Sequence, residues 1–314
     1  MIKCLLFSKD RAMQVHASLQ SFFAHCAGAV NICITVLYTC SNEQHSSQYL
    51  QLALEWQSHP QVKFIKQSRF RQDVFKILNP YASSSLQNFI FKFLTHTNPR
   101  FLRLIWPIVS VPYTSSLLLF LVDDVIFTHE FLLSEITECL EMHKDALGFS
   151  LRLGKNTTYC YTNNCEQQLP FFQPLDANIQ RYNWVNADQD FGYPLEVSSS
   201  VYRLFELLPI LLGINFNNPN FLESGMSACK NRFASTSPFL LCFNQSVAFC
   251  NPINLVQTAC PQNRVGTKTH YSSNELANLF DAGNRIKFEV YHHITSSSCH
   301  QEMDLVFEKR AKPS

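Results

Sequence analysis

Residues Leu117 to Phe127 read Leu-Leu-Leu-Phe-Leu-Val-Asp-Asp-Val-Ile-Phe, an apolar segment interrupted by two adjacent carboxylates. It begins with six apolar residues in succession, which predict a strand covered on both faces, as central strands of parallel sheets are. Asp123 and Asp124 follow where this strand ends. Because ligands of open α/β sheets bind outside the carboxyl ends of the strands, the pair predicts a metal or phosphate site.

The two carboxylates are expected to have different roles, because successive strand residues point to opposite faces. One could hold a hard cation while the other accepts hydrogen bonds from a ligand hydroxyl. The alternative is that Asp123 and Asp124 only end the strand and begin a turn, which Asp favours.

The segments before this stretch alternate between strand and helix patterns. Short apolar, partly β-branched runs predict strands, and apolar residues at spacings of three and four predict helices. This βαβαβ order predicts a parallel sheet. The predicted segments are the strands Ile2–Phe7, Ile32–Tyr38 and Val62–Ile65 and the helices Val15–Cys26 and Tyr49–Trp56.

The segments after the two aspartates are less regular. Thr128 is predicted to cap a helix that contains Leu132 to Leu140, and Ile286 to Tyr291 alternates like an edge strand. The polar residues from Gly154 to Asp190 predict a long loop over the site. Before the stretch, Leu86 to Leu94 is predicted to be helical.

Composition narrows the class of protein. The 314 residues carry a formal net charge of +1, and their scattered basic residues predict no nucleic-acid partner. The polar Ser8 to Arg11 directly after the first strand leaves no room for a signal peptide, so a cytoplasmic location is expected. Phe101 to Val122 contains Arg103 and two prolines and is a poor membrane span. Peripheral membrane association stays open, because an acceptor could be lipid-linked.

Three features make the chain resemble GT-A-fold glycosyltransferases, the nucleotide-sugar-dependent class with a Rossmann-like first half. They are the loop Phe7 to Arg11 after the first strand, the Asp123-Asp124 pair after the fourth strand, and a later half with Tyr193 to Ser199 and Asn218 to Glu223. The resemblance implies one domain over residues 1–314, with a nucleotide-sugar half (1–127) and an acceptor half (128–314). It also implies a mostly parallel sheet flanked by helices, with an acceptor-side extension.

The resemblance implies a divalent metal, Mn²⁺ or Mg²⁺, that stabilises the diphosphate leaving group. Asp124 would coordinate the metal and Asp123 would contact the sugar or the ribose. The chain departs from the Asp-x-Asp motif, since Val122 stands in place of the first acidic residue. In this class a C-terminal histidine can complete the metal shell. His300 is the candidate here, with His292 and His293 as alternatives.

The loop after the first strand would contact the nucleotide-sugar donor through Ser8, Lys9, Asp10 and Arg11. Arg11 is favoured for the diphosphate because its planar guanidinium pairs with two oxygens at once. Lys9 could equally be a solvated charge. Asp10 could accept a hydrogen bond from the base or ribose, or cap the helix that follows.

A general base near the acceptor hydroxyl is needed for an inverting transfer. Glu223 is the first candidate, because it follows a Pro-containing turn at a predicted helix start, and Asp190 is the second catalytic candidate. Glu196 and Asp188 compete for the role. Tyr182, Trp184 and Tyr193 could stack on an acceptor sugar, although core packing is the default expectation for such aromatic residues.

The predicted function is therefore transfer of a sugar from a nucleotide donor to a glycan or lipid-linked acceptor. A sugar nucleotidyltransferase is the second enzyme hypothesis, although the loop from Ser8 to Arg11 lacks the glycines of its phosphate loop. A non-catalytic binding or scaffold protein that keeps the fold is the third, because a fold does not determine function.

Overall fold

A computed structural model of the protein describes residues 2–78, 116–257, 264–266 and 271–310. The strands are β1 Ile2–Lys9, β2 Cys26–Ala27, β3 Ile32–Thr39, β4 Val62–Lys66, β5 Leu117–Val122, β6 Val125–Phe127, β7 Phe131–Leu132, β8 Ala146–Ser150, β9 Tyr159–Cys160, β10 Cys165–Glu166, β11 Gln173–Pro174, β12 Ile179–Asn183, β13 Ser200–Arg203, β14 Phe239–Phe243, β15 Ala248–Cys250, β16 Asn284–Ile286 and β17 Phe307–Lys309. The helices are α1 Ala12–His25, α2 Glu43–Glu55, α3 Phe70–Leu78, α4 Leu133–Met142, α5 Leu204–Gly213, α6 Pro219–Ser227 and α7 Ser273–Asp281.

A mixed, mostly parallel sheet of nine strands organises the described residues, in the order β11-β12-β14-β8-β13-β5-β1-β3-β4. The strands β5, β1, β3 and β4 are parallel neighbours. β13 lies between β5 and β8 and is antiparallel to both, so β8 runs in the same direction as β5. The predicted α/β architecture is confirmed, and the sheet contains strands from both the first and the later half of the chain.

The sheet is buried on both faces, as the unbroken apolar runs of its central strands predict. Leu119 and Leu121 of β5 belong to one hydrophobic core, with apolar residues of α1, α2, α4 and α7. Leu118 and Phe120 of the same strand belong to the other core, with residues of α3, α5 and α6. Helices therefore cover both faces of the sheet. Because side chains alternate along a strand, neighbouring residues of β5 belong to opposite cores.

A change of direction in the strand order places the candidate site. From β1 the chain continues to β3 and β4 on one side, whereas β5 pairs with the other side of β1. Ligands of open α/β sheets bind in the crevice at this kind of switch point, outside the carboxyl ends of the strands. The loop Ser8–Arg11 and the Asp123-Asp124 turn both lie at this crevice.

Three local expectations are wrong. Thr128 does not cap a helix; its N–H donates to Val247 O at 2.9 Å next to the β6–β15 pair, and α4 begins at Leu133. Residues 154–190 are not all loop, because Ile179–Asn183 pairs with β14 and extends the central sheet. Ile286 to Tyr291 is not one strand, because the strand ends at Ile286 and a 3₁₀ turn follows. This turn, Phe288–Tyr291, buries the side chains of Phe288 and Tyr291. The predicted helix Leu86–Leu94 lies outside the described residues.

Within the described ranges, no helix has the length and apolar character needed to cross a membrane.

Candidate active site

A cavity of about 950 Å³ opens at the carboxyl ends of β1, β5 and β8. Eight of the nine predicted site residues line it, although they come from distant parts of the sequence. Strand ends, the start of α6 and two C-terminal loops supply them. The eight residues are Ser8, Lys9, Arg11, Asp123, Asp124, Asp190, Glu223 and His300.

Asp123 is held by the loop that follows β1. Its Oδ2 accepts hydrogen bonds from Ser8 Oγ at 2.8 Å and from the Lys9 backbone N at 3.3 Å. Its Oδ1 accepts from Arg11 Nη1 at 2.8 Å. Ser8 Oγ also contacts the hydroxyl of Tyr49 from α2. The Asp123 carboxylate thus joins the end of β5 to the loop that follows β1.

Arg11 brings both carboxylates under one guanidinium. Its Nη1 lies 3.6 Å from Asp124 Oδ2, in addition to its bond with Asp123, and its Nε donates to Asn254 Oδ1 at 2.7 Å. The expectation that the two aspartates point to opposite faces is therefore wrong. The reason is local: β5 ends at Val122, and residues 123–124 form a turn in which strand alternation no longer applies.

Asp124 fits a divalent cation as a single protein carboxylate ligand. Its Oδ1 is buried and has no hydrogen-bond partner among the described residues. Burial raises the pKa of Asp124 to about 6, against the opposing influence of Arg11. No group of three His, Cys, Asp or Glu side chains that could hold a metal occurs within the described part of the chain. A cation here would therefore need phosphate oxygens of a ligand beside Asp124, which is the way Mg²⁺ is usually bound.

His300 lies on the guanidinium of Arg152, with 3.2 Å between His300 Nε2 and Arg152 Nη1. Burial and the positive charge of Arg152 lower the pKa of His300 to about 3, so its imidazole is neutral near pH 7. Since Arg152 can only donate, Nε2 is the acceptor and the proton of the neutral imidazole is on Nδ1, so a metal would have to replace Arg152 at Nε2. The Nδ1 atom of His300 is buried without a partner in the described structure. His292 and His293 do not line the cavity.

Glu223 lies in the first turns of α6, which begins as the sequence suggests. Asn218 caps the helix by accepting from the Phe221 N–H at 3.0 Å, and Pro219 occupies the first turn. Glu223 Oε1 accepts a hydrogen bond from the backbone N–H of Val197 at 3.3 Å. Burial, and then the neighbouring Glu196, raise the pKa of Glu223 to about 7. A carboxylate with this pKa can act as a general base near neutral pH.

Asp190 lies at another wall of the cavity. Its Oδ2 accepts from Gln167 Nε2 at 3.2 Å, and its Oδ1 lies 3.7 Å from Cys160 Sγ. Burial raises its pKa, whereas the charge of Arg152 opposes this shift. Asp188 does not line the cavity.

Asp10 does not line the cavity either. Its backbone is left-handed, with φ of 55°, and its Oδ1 accepts from the Ser41 N–H at 2.7 Å. It therefore holds the loop after β3 against the loop after β1. It does not cap α1, whose N-cap residue is Arg11. Tyr182 and Trp184 are core residues outside the cavity wall, whereas Tyr193 lines it.

The sequence reasoning missed Arg152, Cys250 and Asn254. Arg152 follows β8 by two residues, so the strand-end rule that singled out Asp123 could have found it. Cys250 Sγ accepts from Arg152 Nη1 at 3.2 Å, and Asn254 binds Arg11. Both lie in or near the short strand β15. The apolar and irregular segments around Cys250 and Asn254 contain no sequence pattern that predicts a functional site.

No protein-family model matches the chain. A curated relative, the bifunctional glycosyltransferase pgtA of Dictyostelium discoideum, is 29% identical over 267 residues. The match covers 77% of this chain and 30% of the relative. The chain thus spans less than a third of the length of that protein.

Several solved structures show a distant likeness. TarS residues 1–349 of S. aureus, in complex with UDP-GlcNAc, align with a TM-score of 0.43 and 12% identity, over 79% of this chain and 57% of that chain. The mannosyltransferase PcManGT of Pyrobaculum calidifontis, in complex with GDP-Man and Mn²⁺, aligns with a TM-score of 0.35 and 7% identity, over 76% and 53%. The sequence match to pgtA confirms the resemblance to glycosyltransferases that the strand-end motifs suggested.

Proposed function

We propose that the chain transfers a sugar from a nucleotide-diphosphate donor to a hydroxyl of a glycan or of a lipid-linked acceptor. The observation that carries this proposal is the joining of Arg11, Asp123 and Asp124 at the crevice between β1 and β5, in a cavity that Glu223 also lines. The relationship to a glycosyltransferase supports it.

The donor would lie with its diphosphate near Arg11 and Asp124. Arg11 supplies a fixed guanidinium, because Asp123 and Asn254 hold it in place. Ser8 and Lys9 line the same part of the cavity. A buried guanidinium stabilises the negative charge that develops on the leaving diphosphate.

The transfer breaks the bond between the sugar anomeric carbon and the phosphate oxygen, and the bonding pair leaves with the nucleoside diphosphate. A new bond forms between that carbon and the acceptor oxygen. The proton of the acceptor hydroxyl passes to the carboxylate of Glu223. Such a base is required when the transfer inverts the anomeric configuration.

A divalent cation, Mn²⁺ or Mg²⁺, would supply Lewis-acid stabilisation of the diphosphate when bound. Asp124 would hold it through the unpartnered Oδ1, and His300 is the second proposed ligand. Asp123 is already bound by Arg11, Ser8 and Lys9, which favours a positioning role over coordination.

The test is donor binding by Asp124→Asn, measured by titration calorimetry with and without Mn²⁺. We expect metal-dependent binding of one nucleotide diphosphate to the wild type and its loss in the variant, because the variant lacks the carboxylate charge. Asp145→Asn is the matched control, since Asp145 is a partly exposed carboxylate outside the cavity wall. Equal donor affinity in wild type and Asp124→Asn would contradict the proposal. Binding without turnover of any nucleotide sugar would favour a scaffold protein.

A further inference from the structure

The turn that follows Pro194 seats two carboxylates on consecutive backbone N–H groups. Glu196 accepts from the N–H of Ser199 at 3.1 Å and from that of Ser198. Glu223, from α6, accepts from the N–H of Val197 at 3.3 Å. Both side chains line the cavity. Their placement on one short turn brings two acidic groups together at the proposed acceptor end of the site.

Glu196 is held in place by several donors. It is 6% exposed, and Arg152 Nη2 lies 3.1 Å from its Oε2. The hydroxyl of Ser200 donates to it as well. These donors already occupy the carboxylate oxygens of Glu196, and the buried Arg152 has Glu196 as its counter-ion. Glu196 is therefore a poor candidate for the base.

Glu223 is held less firmly than Glu196. Its Val197 bond is long, and burial of the side chain favours the neutral form. Within the described part of the chain, the charged or titratable groups that face it are Glu196, Arg152 and Tyr202. Of these, Glu196 raises the pKa of Glu223, and Arg152, whose guanidinium is bound to Glu196, opposes it with a smaller effect.

We propose that Glu196 is a positioning residue of the transfer reaction, a carboxylate anchored on the turn that also binds Glu223, from which it assists Glu223 in accepting the proton of the acceptor hydroxyl. Arg152 completes the arrangement by anchoring Glu196 from the end of β8. This inference rests on the proposed function, since it gives Glu196 a role through the proposed base. Glu196 is thus bound by an arginine, as Asp123 is at the other part of the cavity.

The test follows the titration of the Glu223 carboxyl directly. Protein labelled with ¹³C at the glutamate carboxyl carbons is titrated by NMR, and Glu223→Gln identifies the signal. In Glu196→Gln we expect the pKa of Glu223 to fall by about one unit, because the like charge is lost while the side-chain size is kept. The acid limb of the pH–rate profile should move to lower pH by the same amount.

Glu206→Gln is the matched control. Glu206 is another largely buried glutamate with an arginine partner, Arg203 at 3.3 Å, and it does not line the cavity. This variant should leave both the Glu223 titration and the pH–rate profile unchanged. If Glu196→Gln fails to fold because Arg152 loses its counter-ion, Glu196→Gln combined with Arg152→Met removes both charges. A smaller fall in the pKa of Glu223 is then expected, because the effect of Glu196 exceeds that of Arg152.

Two results would overturn the inference, and they differ in what they say about the proposed function. An unmoved Glu223 titration in a folded Glu196 variant, with Glu223→Gln inactive, removes the role of Glu196 and leaves Glu223 as the base. Full activity of Glu223→Gln removes the proposed base itself, and Glu196 then has no group through which to act.

Discussion

Arg11 determines how the two aspartates of the site are arranged. Its side chain contacts Asp123, Asp124 and Asn254 and is largely buried. Burial opposes the charge of an isolated guanidinium, and here the two carboxylates outweigh this effect and raise the pKa of Arg11. A buried ion pair of this kind is sensitive to the loss of one partner, because the other charge is left uncompensated.

Replacing Arg11 by Met should lower the free energy of unfolding by about 3–5 kcal/mol, since Asp123 and Asp124 then share a buried site without a cation. Urea unfolding measures this change. Arg181→Met is the control: its partner Asp145 lies at 3.1 Å, but the side chains are 25% and 43% exposed, so the loss should be below about 1 kcal/mol. Equal losses in the two variants would show that the Arg11 pairs contribute no more than a surface ion pair.

Glu206 should make the stability of the protein depend on pH. Burial raises its pKa to about 7 from an ordinary value of 4.5, so the native state holds a proton that the unfolded state releases. The resulting stabilisation is complete below about pH 4.5 and is lost as the pH rises through 7. Relative to wild type, Glu206→Gln should therefore gain about 3 kcal/mol of stability between pH 4.5 and 8. Denaturant unfolding at several pH values checks this, and a constant difference would contradict it.

Among the secondary-structure elements, β8 and β13 make a close contact. Through this contact the sheet continues beyond the parallel strands β5, β1, β3 and β4. Gly148 of β8 pairs with Tyr202 of β13. A Cβ at this glycine would lie 2.7 Å from Tyr202 Cδ1 and 2.8 Å from the Val201 carbonyl oxygen. The aromatic ring of Tyr202 thus packs directly over the glycine, and its hydroxyl donates to the carbonyl of Glu196 at 2.9 Å. This contact connects the strand packing to the turn that carries the site.

Gly148→Ala should destabilise the protein by about 1–3 kcal/mol, because the added methyl group meets backbone and a buried ring that cannot move freely. Gly225→Ala is the matched change in helix α6, where the nearest atom is the flexible end of Ile214 at 3.0 Å. There the helical preference of Ala, up to about 1 kcal/mol, should offset the contact. Thermal unfolding of both variants compares them, and an equal loss at Gly225 would refute the packing argument at Gly148.

In the molecule as a whole, one sheet connects the proposed donor part of the cavity to the proposed acceptor part. β5 and β1 carry the Arg11 and aspartate group, whereas β8 and the turn before β13 carry Arg152 and Glu196. Apolar cores cover both faces of this sheet. A ligand that contacts both parts should therefore stabilise the native fold as a unit.

Binding of the correct donor should raise the melting temperature. A screen of UDP, GDP, CDP and dTDP sugars with and without Mn²⁺ should give a metal-dependent shift for one nucleotide, corresponding to about 2.7 kcal/mol at a hundredfold excess over the dissociation constant. The Asp124→Asn protein should lose the metal-dependent part of the shift. No shift with any of these donors, from a folded sample, would count against nucleotide-sugar binding.

The amino-acid sequence determined the sheet core and the position of the site along it. The apolar run from Leu117 to Val122 and the strand–loop–helix pattern before it predicted central strands, because burial on both faces leaves a local pattern. The strand-end rule then located Arg11, Asp123 and Asp124, and the Asn218-Pro219 pair marked the helix that carries Glu223.

Which of these groups meet depends on the three-dimensional packing of the chain. Asp123 and Asp124 share Arg11 because the turn after β5 ends the alternation, and Asp10 holds a neighbouring loop. Arg152, Glu196 and Asn254 enter the site from segments far apart in sequence. Contacts and burial between distant segments leave no periodic pattern, and they set the charge states of the site. The sequence alone could therefore identify the carboxylates but not their partners.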